Sequence, residues 1–209
     1  INRKSDWLGV KAHYKWDDFP ENIVGLHNFN GGYGGLSKTE TGAINFCYLS
    51  SYKSFKDEKD MESFNRNVVR KNPFLNSFLQ TATPLFEHPL TIAQISFHNK
   101  NEVENHILMC GDSAGLIHPL CGNGMAMAIH SAKIVSEFII DFLNNKRYSR
   151  TQMECDYQNR WNAVFRRRML TGRVIQSLLL NSGMADLGIS TLAKSPWFLG
   201  TLIKQTHGK

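Results

Sequence analysis

Gly111-Asp112-Ser113-Ala114-Gly115-Leu116-Ile117-His118-Pro119-Leu120-Cys121-Gly122-Asn123-Gly124 is the stretch on which the reading of this chain turns. Ahead of it stands Ile107-Leu108-Met109-Cys110, an uninterrupted apolar run of the kind found in strands buried on both faces, as in a parallel sheet. Behind it Met125, Ala128, Ile129, Ala132, Val135, Phe138, Ile139 and Phe142 recur at helical spacing, with His130, Lys133, Glu137 and Asp141 on the opposite face. The pattern predicts strand, glycine-bearing loop and amphipathic helix, and ligands of open α/β sheets bind at such carboxyl ends of strands. Gly111 lets the chain leave the strand without a side chain, and Asp112 presents an acceptor-only carboxylate suited to sugar-type hydroxyls. Gly122 and Gly124 leave backbone N–H groups uncovered at a helix start, where the dipole favours negative charge.

Upstream, apolar residues alternate over residues 8–16, with Leu8, Val10, Ala12, Tyr14 and Trp16 on one face and Lys11, His13 and Lys15 on the other, as in a half-buried strand. Two more strands are expected over residues 23–29 and 42–49, with Gly31-Gly32-Tyr33-Gly34-Gly35 as a tight connection whose glycines supply positive φ angles. Short links between successive strands indicate an antiparallel sheet. A helix is expected from Asp60 with Met61, Phe64 and Val68 on one side, and a second from Pro73 burying Phe74, Leu75, Phe78 and Leu79. Residues 90–97 return to strand character. Downstream, Thr151 with Glu154 three residues on reads as a capping box opening a helix that carries Tyr157, Trp161 and Phe165 inward and persists to about Leu180. Pro196 bounds a last short helix. The expected fold class is therefore α+β with α/β character: an antiparallel sheet region over residues 1–105, a Rossmann-like piece over 106–148 and a helical C-terminal region over 149–209.

The bulk properties fit a folded chain and exclude little: of 209 residues 42% are hydrophobic and 20% charged, with a formal charge of +6 and a pI near 9.2. That charge is compatible with an anionic cofactor, anionic lipid or nucleic acid and selects none of them. Cys47, Cys110, Cys121 and Cys155 form no CxxC pair, which argues against a zinc site or a disulfide framework and for reduced, cytosolic thiols. No apolar run approaches the roughly 20 residues of a membrane span, so a cytoplasmic location is expected. The chain opens Ile1-Asn2-Arg3-Lys4-Ser5 and enters strand pattern at once, which reads as a cut made mid-protein.

Gly111, Asp112, Pro119, Gly122 and Gly124, between a strand and a helix, resemble the second flavin motif of FAD-dependent oxidoreductases of the geranylgeranyl-reductase and aromatic-hydroxylase type. The resemblance implies that Asp112 contacts the ribityl chain of FAD and that the glycine-rich helix start, Gly122, Asn123, Gly124 and Met125, lies against the isoalloxazine ring. Reduced flavin gathers negative charge on its pyrimidine side, so uncovered N–H groups there are chemically apt. The resemblance covers most of the chain and is tight over residues 107–141. It implies an enzyme in the intact parent, FAD as cofactor with NAD(P)H as a candidate electron donor, and an apolar isoprenoid-like or aromatic substrate, with reduction preferred over oxygen insertion because the glycine cluster at 31–35 looks like the hairpin of the reductase sheet. Arg3-Lys4-Ser5 looks like the tail of the family's central loop, lacking its Asp-Gly start. The family's N-terminal GxGxxG turn, which holds the ADP half of FAD, is absent from these 209 residues, so the isolated chain is expected to be a truncated form that holds flavin weakly and is inactive.

Other candidates carry less. His118 and Cys121 flank the motif, as a proton donor and a reactive thiol, but neighbours of this kind more often pack locally. Arg166-Arg167-Arg168 reads as a solvated helix face. His13 and His27 lie on different strands without a carboxylate partner, and nothing indicates a metal. Trp197, Phe198 and Leu199 suit a docked helix or a peripheral membrane contact. The competing reading is a basic, non-catalytic module for anionic lipid or nucleic acid; it explains the charge and the arginines but leaves the Gly-Asp to Gly-x-Gly constellation without a purpose, and no nucleic-acid motif is present.

Overall fold

Alternation along β1 (Trp7–Lys15) sends Leu8, Val10 and Ala12 into the core and Lys11 to solvent, because successive strand side chains point to opposite faces. In the computed structural model, which describes residues 6–58, 60–180, 188, 190–192 and 194–207, this strand is central to an antiparallel sheet. With β2 (Val24–Phe29), β3 (Gly32–Lys38), β4 (Ile44–Ser51), β5 (Thr83–Pro84) and β6 (Leu90–Ile95), the order is β2-β3-β4-β1-β5. The N-terminal half of β1 pairs with β6 and its end, Tyr14 and Lys15, with β5.

The glycine cluster differs from expectation. Gly31 alone takes a positive φ (+76°), in the two-residue turn Asn30-Gly31; the rest of the cluster is β3 itself, paired on both sides. Glycine is needed there for clearance: a Cβ on Gly32 would overlap the Leu49 carbonyl oxygen, and one on Gly34 would come within 2.7 Å of the Phe46 ring. Short side-chain-free positions let aromatic rings lie flat on the strand, a requirement that a turn reading cannot see.

Three short helices follow: α1 (Tyr52–Lys56), α2 (Met61–Asn67) and α3 (Pro73–Thr81). Side-chain oxygens cap all three, Ser51 accepting from Ser54 N, Asp60 from Ser63 N at 2.7 Å, and Asn72 from the amides of Phe74 and Leu75. Asn72 also donates to the Asn28 carbonyl at 3.0 Å, tying the start of α3 to β2. α1 buries no side chain, so it leaves no hydrophobic period to read. Phe64, Val69, Leu75 and Phe78 pack under Leu36, Ile44, Phe46 and Tyr48 as one apolar core. Phe74, expected in that core, is instead 39% exposed and stacks on the His27 ring at 4.1 Å, because α3 turns Leu75 and Phe78 inward and leaves its first turn at the rim.

These elements form one compact unit, residues 1–96; residues 97–209 form another. Residues 97–105, grouped with the sheet on sequence, make contacts inside the second unit: Asn99 accepts from Arg173 Nη2 at 2.5 Å, and Glu102 accepts from Gln158 Nε2 at 3.2 Å. The run at 107–110 is not a strand of a parallel sheet among the described residues. It contributes β8 (Ile107–Leu108), which pairs antiparallel with β7 (Val103–Glu104), and Ile107 and Cys110 are exposed. Apolarity reports what a segment can bury, not which strands lie beside it.

The unit also holds α4 (Gly124–Asn144), α5 (Arg150–Leu180) and α6 (Pro196–His207). α5 starts one residue ahead of the expected Thr151, with the Ser149 hydroxyl accepting from Gln152 N at 3.1 Å; Glu154, assigned to a capping box, instead pairs with Arg150 Nε at 2.9 Å and His106. Tyr157, Trp161 and Phe165 do turn inward, joining Ala114, Ile117, Met127 and Ile134. On α4 the buried face is Met127, Ser131 and Ile134, with Val135, Phe138 and Phe142 partly covered, whereas Met125, Ile129 and Ile139 are exposed. His130, expected on the solvent face, is half-buried with its ring 5.3 Å from that of Phe165. The helix is apolar around much of its circumference, so its period does not select one inward stripe. Residues 1–5 lie outside the described residues. No described helix is long and apolar enough to cross a membrane.

Candidate functional site

The loop 111–124 alternates anchors with exposed positions. Ala114, Gly115, Ile117, His118, Cys121 and Asn123 are buried, while Asp112, Pro119 and Gly122 are exposed, Gly111 and Gly124 are intermediate, and Met125 is fully open at the start of α4. The anchoring is specific. Gly111 N donates to Ser131 Oγ at 2.8 Å, Tyr157 OH donates to the Met109 carbonyl, and Lys100 Nζ donates to the Asp112 carbonyl at 2.7 Å. Ser131, Tyr157 and Lys100 gave no signal of this role in the sequence, because each acts on main-chain atoms from a distant position.

Gly111 opens a 3-10 turn (Gly111–Ser113) at φ +58°, and a Cβ there would press to 3.2 Å against Ala128. A second 3-10 turn (Pro119–Cys121) ends at Gly122, left-handed at φ +62°. L-residues avoid that conformation, and nothing lies within 4 Å of where a Cβ would sit, so the loop is bent sharply and its outer side is open. Asn123 precedes α4 without a side-chain cap; its buried amide donates instead to the Thr206 carbonyl at 3.0 Å, which docks α6. The first N–H groups of a helix have no intrahelical acceptor, so Gly124 and Met125 present donors beside an open surface at the positive end of a 21-residue helix. The Asp112 carboxylate has no hydrogen-bond or ion-pair partner among the described residues.

Of the flanking candidates, Cys121 is 5% exposed and burial pushes its thiol up to about 11, which keeps it protonated and unsuited to nucleophilic attack. His118 is equally buried, with its ring 3.8 Å from Phe97 and Nδ1 without a partner. Burial first, and the nearby Arg173 second, hold it down at about 4. An unfolded histidine titrates near 6.5, so the stability from keeping His118 neutral is present above that pH and is lost as pH falls towards 4. We expect acidification from pH 7 to pH 4.5 to cost about 2 kcal/mol more in wild type than in His118→Gln, allowing for partial solvent screening, as read by urea unfolding at the two pH values. Equal losses in both proteins would show that His118 is not the group. Arg168 lies over the Phe165 ring at 5.5 Å, and Arg166 and Arg167 are exposed. Among the described residues no His, Cys, Asp or Glu cluster could hold a metal.

Comparison with known proteins places this geometry. The squalene epoxidase family profile matches residues 56–176, more than half of the chain and all of the loop. The chain belongs to the squalene epoxidase family. Among curated relatives it is 28% identical over 110 residues to conditioned medium factor receptor 1 of Dictyostelium discoideum, covering 51% of this chain and 20% of that one. It is 28% identical over 90 residues to a digeranylgeranylglycerophospholipid reductase of Methanococcus vannielii, covering 43% and 23%. Among solved structures, the flavin-dependent brominase Bmp2 superposes over 98% of this chain and 50% of its own with a TM-score of 0.75 at 13% identity. A geranylgeranyl bacteriochlorophyll reductase-like protein of Thermoplasma acidophilum matches 86% and 45% with a TM-score of 0.63 at 18% identity. The chain thus spans about a fifth of the length of those two relatives and about half of those two structures. At such identities the structures establish the fold: an antiparallel sheet followed by the helical region, as in the C-terminal parts of FAD-dependent oxidoreductases, in keeping with the expected class and the stated resemblance.

Proposed function

We propose that this chain is the ring-facing part of an FAD-dependent oxidoreductase that acts on a double bond of an apolar, isoprenoid-like substrate. The observation that carries this reading is the coincidence of exposure with the motif: Asp112, Pro119, Gly122 and Met125 stand exposed on one loop that Ala114, Gly115, Ile117, His118, Cys121 and Asn123 anchor by burial. These residues fit a flavin: the unpartnered Asp112 carboxylate would accept from ribityl hydroxyls, and the amides at the start of α4 would face the pyrimidine edge of the ring. The flavin, when bound, supplies the redox chemistry. The chain's own part is to orient it and to stabilise negative charge beside it. The ADP half is held by residues other than these, since no GxGxxG turn occurs here.

The sheet supports an apolar substrate. Its face opposite the helices carries exposed Val24 and Leu26 at one edge and exposed Leu90 and Ile92 at the other. Between them lies Gly35, where a Cβ would come no closer than 3.9 Å to anything. Membership of the squalene epoxidase family favours oxygen insertion, and the likeness to the Methanococcus reductase favours saturation. Both chemistries address an isoprenoid double bond, which is why that bond defines the proposal; the parent's reductant and the product formed with and without oxygen decide between them.

The test is flavin affinity in the intact protein. Asp112→Ala removes charge-assisted hydrogen bonds worth about 1.5–3 kcal/mol, so FAD affinity is expected to fall roughly tenfold to a hundredfold, measured by fluorescence titration of the apoprotein. An unchanged affinity would sink the assignment.

A further inference from the structure

A polar recess in the 97–209 unit adjoins the 111–124 loop, whose buried Ala114 and Gly115 line it. It is a cavity of about 240 Å³, walled by residues 98–100 and Glu102, by Ala114 and Gly115, and by α5 through Trp161, Arg166 and Arg173. None of Gly111, Asp112, Pro119, Gly122, Asn123, Gly124 or Met125 lines it. Its volume is below the roughly 300–1,000 Å³ of pockets that enclose drug-sized ligands, so it suits a compact head group.

The lining is cationic and donor-rich. Lys100, Arg166 and Arg173 face Glu102 as the one carboxylate of the recess. None of the three cations is ion-paired among the described residues. Lys100 spends one of its three N–H donors on the Asp112 carbonyl, and Arg173 donates to Asn99, leaving further donors on both. Glu102 is itself occupied by Gln158 Nε2 at 3.2 Å. Independently, Trp161 is 4% exposed and its indole Nε1–H has no acceptor, and Arg173 Nε is also buried without one. The walls of the recess thus hold more N–H donors than the protein supplies acceptors for. We infer that this recess binds a phosphate or diphosphate group through Lys100, Arg166 and Arg173. Forked guanidinium donors meet phosphoryl oxygens two at a time, which gives arginine the advantage here over a point charge.

The group's source is either a soluble diphosphate or a phospholipid head group, and the inference stands apart from the flavin reading. The chain has four tryptophans, so indole N–H resonances in a ¹H–¹⁵N spectrum give a local readout, with that of Trp161 assigned as the one lost in Trp161→Phe. Inorganic pyrophosphate is expected to shift that resonance saturably. Arg166→Gln, at an exposed position, and separately Lys100→Gln should each weaken the titration about tenfold, while Asp112→Ala leaves it unchanged. Pyrophosphate binding without binding to phosphatidylcholine vesicles containing phosphatidic acid assigns a soluble ligand; vesicle binding that Arg166→Gln weakens assigns a head group. No saturable shift together with no such vesicle binding overturns the proposal. So does a titration that neither Arg166→Gln nor Lys100→Gln alters, and so does one lost in Asp112→Ala, which would make the recess part of the flavin site.

Discussion

Phe78→Ala is expected to lower the stability of the 1–96 unit by about 3–5 kcal/mol, the range for truncating a fully buried phenylalanine. The Phe78 side chain is wholly buried, and its ring meets those of Tyr14 at 5.0 Å, Trp16 at 5.1 Å and Phe46 at 5.5 Å, mostly edge to face. Truncation removes the transfer energy of the ring and those aromatic contacts together, and leaves a cavity between sheet and helix that rigid strands cannot close. Urea unfolding followed by tryptophan fluorescence reads the effect, since Trp16 is one of the ring's partners. Phe78→Leu keeps most of the volume and should cost about 1.5 kcal/mol or less. An alanine variant within 1 kcal/mol of wild type, a threshold set roughly by the mean effect of any substitution, would mean that this ring is not central to the core.

Gly32→Ala is expected to cost about 3 kcal/mol for the addition of one methyl group. That methyl would overlap the Leu49 carbonyl oxygen on the neighbouring strand and sit 2.5 Å from the Phe29 ring, so relief requires the β3–β4 pairing itself to shift. Gly35→Ala, three residues along the same strand, meets only ordinary contacts and should change stability by about 0.5 kcal/mol or less. The pair separates steric clearance from the general cost of replacing glycine. Equal unfolding midpoints for the two variants would contradict the packing argument. Because Gly35 lies on the sheet face proposed above for the substrate, its substitution is expected instead to weaken binding of an apolar ligand.

The form of the candidate loop was legible because its geometry is local. Glycines that bend the chain and a helix start that exposes N–H groups impose residue types at fixed spacing, and Gly111, Gly122 and Gly124 stand at those places. The helix starts at Asp60 and Pro73 were legible for the same reason. The face of α4, the strand identity of Gly32 to Gly35 and the pairing of Ile107 were not, since each depends on which neighbour arrives from elsewhere in the chain. Asn123 illustrates the boundary: its place before the helix is local, but its side chain is claimed by Thr206, 83 positions away.

The sequence by itself determined the antiparallel sheet, the helix starts at Asp60 and Pro73, the inward stripe of α5 and the glycine-bearing turn into α4, all of them consequences of short-range geometry and hydrophobic period. Tertiary structure decided which loop residues stay open, which glycines serve clearance instead of turning, and that Lys100, Trp161, Arg166 and Arg173 surround one recess. Those outcomes depend on contacts between segments far apart in the chain, where burial and unpaired donors are set by packing, and a linear pattern records neither.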